Sequence, residues 1–497
     1  MTRAEHANER IERLEEWRRR GVQPYPYAFE RTHATSQVVE QESSLGENPV
    51  SIAGRIMTLR GHGKTGFAHV QDGSGRIQVY ARRDDLGAER YAEWQLLQVG
   101  DLVGVRGETF RTRTGELTIH VRAFELLSKA LRPLPDKWHG LADKEVRFRQ
   151  RYVDLIVNPQ VREVFLRRTR VLALLRRELA DRGFLEVETP VLQPLYGGAS
   201  ARPFATHHNA LDIPLYLRIA PELYLKRLLV GGFEGVFEIA RNFRNEGMDR
   251  SHSPEFSMLE LYVAYWDYED MMRLTEQLVA QAARETTGSS DVRYGKLELD
   301  FSLPFARLSY MGALEEAVGQ PLHDLGIASL RQEARRLGVA VEPDAGRGAT
   351  LEALFAALVE PHLVQPTFVI DHPKEISPLA KDHRKHAGLV ERFELFAAGM
   401  ELANAFSELN DPQEQRRRFE AQLELRRGGD LEAQPLDEDY LRALEYGMPP
   451  AGGLGVGIDR LVMLLTDSNS IRDVVLFPPL RPESPAQAVD DTEPPES

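Results

Sequence analysis

The stretch from Glu234 to Tyr265 constrains the fold of this chain more than any other part of the sequence. Two runs of alternating apolar residues flank a polar loop, and this pattern predicts two neighbouring strands. Successive side chains of a strand point to opposite faces, so residues two apart share a face. If the polar faces of both strands coincide, an arginine, two carboxylates and two aromatic rings converge on one pocket. The predicted pocket residues are Arg244 and Glu246 on the first strand and Phe256, Glu260 and Tyr262 on the second.

The composition is that of an ordinary globular protein. The 497 residues are 42% hydrophobic and 28% charged, and a chain of this length suggests about two to four domains. The absence of cysteine excludes disulfides, cysteine nucleophiles and thiolate metal sites. No apolar run approaches the roughly 18 residues of a membrane span, and the first residues are charged, without the apolar core of a signal peptide. We therefore expect a cytoplasmic protein that does not span a membrane.

The charge balance argues against a general nucleic-acid binder, because the net charge is -14. A local basic face is nevertheless compatible with that total, since only the contact surface has to be positive. Residues 55–83 carry six Lys/Arg against one Asp, which favours such a face in the N-terminal part.

Residues 50–128 read as five short strands separated by Gly-rich turns, a pattern typical of a small closed barrel of the OB type. Phe67, Gln78 and Glu116 lie on or beside these strands. On an OB barrel an exposed aromatic ring can stack on a base while polar side chains read its edge. The alternative, which the pattern leaves open, is that Phe67 belongs to the core and the other two are ordinary surface residues.

The rest of the chain divides by composition and periodicity. The tail has four prolines and five acidic residues in 17, and we expect it to be disordered. The predicted segments are a helical extension (1–45), an OB domain (46–130), a linker (131–160), a second domain (161–480) with a helical insertion around 305–362, and the acidic tail (481–497).

The second domain mixes helices and strands, so the fold class is α+β. The pattern predicts helices at 161–183, 267–284 and 416–427, strands at 184–190, 367–371 and 391–409, and a glycine-rich turn at 452–457 that opens a helix at 458–466. One segment stays ambiguous. Glu401, Asn404 and Glu408 fit one face of a helix, whereas Asn404, Phe406 and Glu408 fit one face of a strand.

Three segments resemble the signature motifs of class II aminoacyl-tRNA synthetases, in the order of that family: RGFLEVETPVL (182–192), FRNEGMDRSHSPEFSMLE (243–260) and GLGVGIDRLVMLL (453–465). An N-terminal OB barrel before these motifs resembles the subgroup specific for lysine, aspartate and asparagine. The segment 197–247, which leads from the first motif into the second, is similar to the bacterial lysine-specific branch, and the likeness covers about residues 50–480.

This resemblance implies an OB-type β-barrel followed by a catalytic domain with an antiparallel β-sheet flanked by helices. It implies ATP-dependent ligation of L-lysine to tRNA(Lys) through a lysyl-adenylate, with Mg²⁺ accompanying the ATP. It also implies a homodimer built around the first motif. The activation step joins a carboxylate to a phosphate, so it calls for arginines and Mg²⁺ rather than for a general base.

The resemblance also assigns roles to individual residues. Arg244 and Arg460 are the expected catalytic residues, since the planar guanidinium binds oxyanions at two points. The other expected residues are Glu246, His252, Phe256 and Glu394 for ATP, together with both arginines; Glu394 and Glu401 for Mg²⁺; Gly198, Glu222, Arg244, Glu260, Tyr262, Asn404 and Glu408 for lysine; and Phe67, Gln78 and Glu116 for the anticodon.

The acidic residues of the predicted pocket favour lysine over the two other amino acids of the subgroup. A buried ammonium group needs a carboxylate partner, whereas aspartate would need a cation where Glu408 stands. Three alternatives remain: an aspartate or asparagine ligase, a related enzyme that lysylates a protein, and a non-catalytic RNA-binding protein of the OB type.

Overall fold

The computed structural model describes residues 3–46, 48–135, 141, 143–343, 345–427 and 434–482. The chain forms two compact units, the first up to Lys144 and the second Glu145–Leu480. Most of the tail predicted to be disordered lies outside the described residues. Within the described ranges, no helix is long and apolar enough to cross a membrane.

The first unit contains a five-stranded barrel with helices before and between its strands. Its elements are α1 (Arg3–Arg19), α2 (Thr35–Glu40), α3 (Glu42–Leu45), β1 (Val50–His62), β2 (Thr65–Gln71), β3 (Arg76–Arg82), α4 (Arg83–Leu86), α5 (Ala88–Trp94), β4 (Leu102–Arg111) and β5 (Leu117–Ser128).

The barrel is closed in the order β1-β2-β3-β5-β4, because β1 pairs with both β2 and β4. Alternate residues of β2 and β3 are buried, as expected for strands with one face in a core. Ala68 and Val70 point inward, whereas Phe67 lies half-buried on the outer face. The predicted closed barrel is confirmed.

The second unit is built on a large sheet. Its strands are β6 (Leu185–Glu186), β7 (Leu192–Gln193), β8 (Ala205–His208), β9 (Ile213–Leu217), β10 (Gly235–Phe243), β11 (Glu255–Ala264), β12 (Asp291–Tyr294), β13 (Leu297–Asp300), β14 (Ala306–Ser309), β15 (Thr367–Ile370), β16 (Arg392–Ala397), β17 (Met400–Ser407) and β18 (Ala451–Gly457). Its helices are α6 (Lys144–Arg149), α7 (Arg151–Val157), α8 (Pro159–Asp181), α9 (Glu222–Val230), α10 (Tyr268–Thr287), α11 (Tyr310–Val318), α12 (Ile327–Arg336), α13 (Arg347–Leu358), α14 (Pro412–Arg427), α15 (Glu438–Glu445), α16 (Ile458–Leu465) and α17 (Ile471–Val474), with short 3₁₀ turns at Glu360–His362 and Lys374–Ile376.

Eight of these strands form one sheet in the order β14-β15-β16-β17-β18-β11-β10-β6. Neighbours are antiparallel except at the two edges, where β14 pairs with β15 and β6 with β10 in parallel. Odd-numbered residues of β11, such as Leu259 and Leu261, join a hydrophobic core with α8, α10 and α16. The even-numbered residues face the other side, so one face of the sheet is left for a pocket.

The helices begin and end where local chemistry favours it. Asp267 is the N-cap of α10. Its side chain accepts hydrogen bonds from the backbone N–H groups of Glu269 and Asp270, which have no partner within the helix. That helix ends at Gly288, whose φ of +84° suits glycine. Helix α8 starts with Pro159, a residue favoured in the first turn.

The region predicted as a helical insertion contains β14, α11, α12 and α13. These helices share a core of their own, which includes Leu314, Leu330 and Leu351. Helices α6 and α7 fall within the segment predicted as a linker, and from Glu145 onward that segment belongs to the second compact unit.

Two predictions of local structure are corrected. Residues 452–457 are not a turn: they belong to β18, which lies between β11 and β17. Glycine is depleted in strands in general, but a Cβ here would collide with Met271 of α10 at Gly452 and with Glu408 and Tyr262 at Gly453, so these two strand positions require glycine. The helical alternative for Glu401 to Glu408 is also wrong, because β17 runs from Met400 to Ser407.

Candidate active site

A cavity of about 330 Å³ lies on the exposed face of the large sheet. It brings together nearly all the residues that the sequence assigned to ATP, lysine and Mg²⁺. Those lining it are Gly198, Glu222, Arg244, Glu246, His252, Phe256, Glu260, Tyr262, Glu394, Glu401, Asn404 and Arg460. Glu408 is not part of the lining; it is 1% exposed and lies directly beneath the cavity, next to Gly453.

The glycines of β18 form the floor of this cavity. Gly453 pairs with Tyr262 on one side and Phe406 on the other, and Gly455 pairs with Glu260 and Asn404. A Cβ atom on Gly453 would collide with Glu408 Oε1 and would lie 2.5 Å from Tyr262 Cε1. The glycine therefore allows these side chains to meet above the strand.

Arg244 lies just beyond the end of β10 rather than within the strand, as does Glu246. The Arg244 backbone N–H donates to Pro254 O at 2.9 Å, which continues the pairing by one residue. Its guanidinium lies 5.0 Å from the centre of the Phe256 ring, a cation–π contact. Its buried Nε has no hydrogen-bond partner among the described residues, and burial lowers the pKa of Arg244. An anion in the cavity would satisfy this donor.

Arg460 is held on α16 by residues of two other segments. Its Nη1 donates to Glu401 O at 2.8 Å, and its Nη2 lies 2.9 Å from His252 Nε2. His252 Nδ1 is in turn 2.8 Å from Asp249 Oδ2. Since arginine can only donate, His252 Nε2 accepts and the imidazole proton lies on Nδ1. The histidine thus orients the arginine at the rim of the cavity.

Carboxylates gather at the same end of the cavity. Glu394 and Glu401 line it, and burial together with their two charges raises the pKa of neighbouring Glu360 to about 7. Among the described residues, no three potential metal ligands gather closely enough to hold a metal ion by themselves. Mg²⁺ bound with ATP typically uses one or two carboxylates besides phosphate oxygens and water. The donor set of Glu394 and Glu401 fits that requirement.

Arg392 is a residue of this site that the sequence analysis missed. Its Nη2 pairs with Glu394 at 2.6 Å and its Nε donates to Asn404 Oδ1 at 3.1 Å. One arginine therefore fixes a residue assigned to ATP and one assigned to lysine. Arg392 and Glu394 are two residues apart on β16, and this spacing indicates that their side chains share one face of the strand.

The other end of the cavity is acidic and buried. Glu260 is 4% exposed, and its Oε2 accepts a hydrogen bond of 3.2 Å from the Tyr262 hydroxyl. Burial and the nearby charge of Glu222 raise the pKa of Glu260 to about 8. Gly198 has a φ of +86°, and a Cβ there would lie 2.9 Å from Glu222 Cβ. Glycine therefore lets the backbone approach Glu222 closely.

A second missed residue, Lys226, lies beneath this acidic end. Its ammonium group forms ion pairs with Glu222, one turn earlier on α9, and with Glu408. The spacing of four residues between Glu222 and Lys226 is the expected spacing of a helical ion pair. No local sequence pattern indicates the ion pair between Lys226 and Glu408.

On the separate barrel, the three residues assigned to the anticodon share the outer surface. The Phe67 ring lies 4.8 Å from that of Tyr80. Gln78 Nε2 donates to Glu116 Oε2 at 2.7 Å, and His69 Nε2 lies 2.9 Å from Glu116 Oε1. Phe67 is not one of the residues of the barrel core, so the core interpretation is not supported.

Comparisons with known proteins fit this architecture. Residues 143–481 match the family described as tRNA synthetases class II (D, K and N), and residues 50–127 match the OB-fold nucleic acid binding domain. The chain therefore belongs to the class II tRNA synthetases of the aspartate, lysine and asparagine group.

Relatives narrow the assignment within that group. A protein of Carboxydothermus hydrogenoformans named lysine–tRNA ligase is 56% identical, over 95% of this chain and 97% of its own length. A protein of the same name from Moorella thermoacetica is 55% identical, over 95% of this chain and 97% of its own length. Another from Bacillus subtilis is 50% identical, over 97% of this chain and 100% of its own length. The chain is a member of the lysine–tRNA ligase family, as the resemblance of its motifs predicted.

Proposed function

We propose how this site carries out the reaction of its family, the ATP-dependent ligation of L-lysine to tRNA(Lys) through a lysyl-adenylate. The observation that supports it most is the division of one cavity into two ends. Two arginines and the pair Glu394 and Glu401 lie at one end, and the carboxylates of Glu222, Glu260 and Glu408 lie at or beneath the other.

The first end receives ATP. Phe256 stacks on the adenine, while Glu246 and His252 bind the nucleotide and its phosphates, and Glu394 contributes from β16. Arg244 bridges the α-phosphate and the carboxylate of lysine, since its unpaired Nε is an available donor. Arg460 binds the γ-phosphate. These contacts hold three anionic groups close together, and no general base is needed because the attacking carboxylate is already ionised.

Glu394 and Glu401 would hold Mg²⁺ against the phosphates of ATP. The metal would neutralise negative charge on the phosphates and help pyrophosphate to leave. The raised pKa of Glu360 supports this assignment, because besides burial it reflects the negative charges of Glu394 and Glu401, which a cation would offset.

The second end receives lysine. The Gly198 backbone and Glu222 bind the α-ammonium group, and Asn404 joins Arg244 at the carboxylate. Glu408 and the Tyr262 hydroxyl bind the ε-ammonium group, and Glu260 adds negative charge. Aspartate would bring a carboxylate to these acids, and asparagine would leave them without a cation; both cost several kcal/mol.

The second step transfers lysine from the adenylate to the terminal adenosine of the tRNA. The barrel recognises the anticodon through Phe67, Gln78 and Glu116. Their common position on the outer face of the barrel supports this role, since stacking and edge contacts together specify a base.

The assembly and the domain bounds complete the proposal. The protein acts in the cytoplasm as a homodimer that joins through the first motif. Exposed apolar side chains support that surface: Leu166 on α8, Leu185 on β6 and Leu192 on β7 are each more than 40% exposed. The proposed segments are the helical extension (1–45), the OB domain (46–130), a linker (131–160) whose part from Glu145 onward packs with the second unit, the catalytic domain (161–480) and the tail (481–497).

ATP–pyrophosphate exchange measured across the twenty amino acids tests the proposal. Lysine alone should support rapid exchange. Exchange with aspartate or asparagine would assign the site to a neighbouring member of the group. RNA binding without any exchange would instead indicate a non-catalytic protein.

A further inference from the structure

Lys226 is enclosed beneath the acidic end of the cavity, and its side chain is 0% exposed. Its Nζ donates a hydrogen bond to Glu222 Oε1 and is in ion-pair contact with Glu408 Oε2. The ammonium group also lies 5.2 Å from the centre of the Phe406 ring and 5.7 Å from that of Tyr262. Both aromatic faces favour a cation at this place.

The protonation of Lys226 follows from these neighbours. Burial opposes the charged form, but the charges of Glu222 and Glu408 outweigh burial and raise the pKa of Lys226 above its usual value. The Tyr262 and Tyr440 hydroxyls are further titratable groups beside it, and burial raises the pKa of both, so they stay neutral. Lys226 is therefore a permanent cation at neutral pH.

The carboxylates are not satisfied by this one cation. Neither oxygen of Glu408 has a hydrogen-bond partner of regular geometry among the described residues, despite the contact with Lys226. Glu260 adds a third buried carboxylate. Burial raises the pKa of Glu408, and Lys226 is the leading influence that lowers it.

We propose that Lys226 is a positioning residue for substrate recognition: its buried ammonium group pairs with Glu222 and Glu408, holds both side chains in place and leaves their remaining acceptor sites to the two ammonium groups of lysine. This inference rests on the proposed lysine site. Three carboxylates (Glu222, Glu260 and Glu408) are then matched by three ammonium groups, one from Lys226 and two from the substrate. The substrate carboxylate is matched separately by Arg244.

This charge balance makes the pocket selective. The three carboxylates and Lys226 together carry two net negative charges when all four are ionised. Without lysine, burial raises the pKa of Glu260 to about 8, so this carboxyl group holds a proton at neutral pH and loses it when the second ammonium group of the substrate enters. Only an amino acid with two ammonium groups neutralises both charges completely. An amino acid with a single ammonium group leaves a buried carboxylate unpaired, which is strongly unfavourable.

Two substitutions separate this role from simple packing. Lys226→Met keeps the length of the side chain and removes its charge. Lys226→Ala removes the outer propylammonium fragment and leaves a space that an added amine can fill. Thermal unfolding identifies any variant that fails to fold. Lys129→Met is the matched control, because Lys129 is also 0% exposed and pairs with Asp101 at 2.8 Å, but lies in the first unit.

ATP–pyrophosphate exchange is the assay, with lysine and ATP varied in turn. In Lys226→Met the lysine KM should rise about ten- to a hundredfold, since breaking a buried ion pair is costly, while the ATP KM stays near that of the wild type. Glu408 should then take up a proton more readily, because the charge of Lys226 is the leading influence that lowers its pKa. The kcat/KM for lysine should therefore fall between pH 8 and pH 6 more steeply than in the wild type. Lys129→Met should change neither quantity.

Chemical rescue of Lys226→Ala gives the sharpest outcome. Propylammonium should restore part of the lysine kcat/KM, and 1-propanol at the same concentration should not; wild-type enzyme measured with each additive corrects for competition. Equal rescue by propanol, or a lysine KM within twofold of wild type in Lys226→Met with an unchanged pH profile, would overturn the inference. A wild-type enzyme that does not exchange with lysine would instead overturn the proposed function, so the two failures are distinguishable.

Discussion

The substitution Gly453→Ala tests whether the glycine strand shapes the lysine site. The added Cβ would collide with Glu408 Oε1 and would lie 2.5 Å and 2.7 Å from Tyr262 Cε1 and Cδ1. Both side chains are almost fully buried, so any shift that relieves the collision has to go towards the cavity and changes its acidic end. Backbone strain is not the cause, because Gly453 is not among the residues with positive φ.

The size of the expected effect of Gly453→Ala on lysine binding follows from the cost of overpacking. Inserting a methyl group into a tightly packed region costs about 1–3 kcal/mol. Each 1.36 kcal/mol corresponds to a factor of ten. If the penalty falls on the groups that bind the ε-ammonium, the lysine KM should rise about 5- to 150-fold, with little change in the ATP KM.

Two neighbouring glycines provide matched controls. A Cβ on Gly455 would meet the flexible end of Met258 at 3.0 Å, and one on Gly457 would meet nothing closer than 3.6 Å. In exchange kinetics, the lysine KM should be far higher for Gly453→Ala than for Gly455→Ala. The lysine KM of Gly457→Ala should be the nearest to that of the wild type. A Gly453→Ala enzyme with normal lysine KM, or equal effects at all three positions, would refute the reasoning.

Three further predictions follow from the same geometry. Glu408→Gln should lower lysine-dependent exchange by orders of magnitude and leave ATP binding nearly intact; an unchanged exchange rate with lysine would contradict the pocket assignment. Phe67→Ala should weaken tRNA charging and hardly affect exchange without tRNA, and equal loss in both assays would show that Phe67 is structural. Because the pKa of Glu260 is raised to about 8, the folded protein keeps the proton of this carboxyl group at pH values where the unfolded chain has lost it. The Tm without ligand should therefore fall as pH rises from about 5 to 8, less steeply in Glu260→Gln, and identical slopes in both proteins would argue against the shift.

The sequence predicted the motif-bearing elements because their patterns are local. The alternation in β11 correctly placed Phe256, Glu260 and Tyr262 on one face, and the Gly-rich turns outlined the barrel. The first strand was predicted to include Arg244 and Glu246 but ends at Phe243, since periodicity marks the interior of an element better than its end.

Non-local packing accounts for what the sequence did not reveal. Glycine propensity indicated a turn at 452–457, but the demand for space by Tyr262 and Glu408 selects glycine within a strand. Lys226 was not singled out in the sequence, because its second partner, Glu408, comes from the chain after β17. Arg392 likewise gains its meaning only when β16 and β17 pair.

The register of β11 ties the two substrate sites to a single strand. A strand rises about 3.3 Å per residue, so Phe256 and Tyr262 stand about 20 Å apart along it. The nucleotide end and the lysine end are therefore set by one backbone, with Leu259 and Leu261 anchoring its other face in the core. A slip of one residue would exchange the two faces and bury Glu260 among the helices without a cation. The apolar core thus enforces the spacing of both sites, because any shift that misplaced the catalytic face would also expose the hydrophobic one.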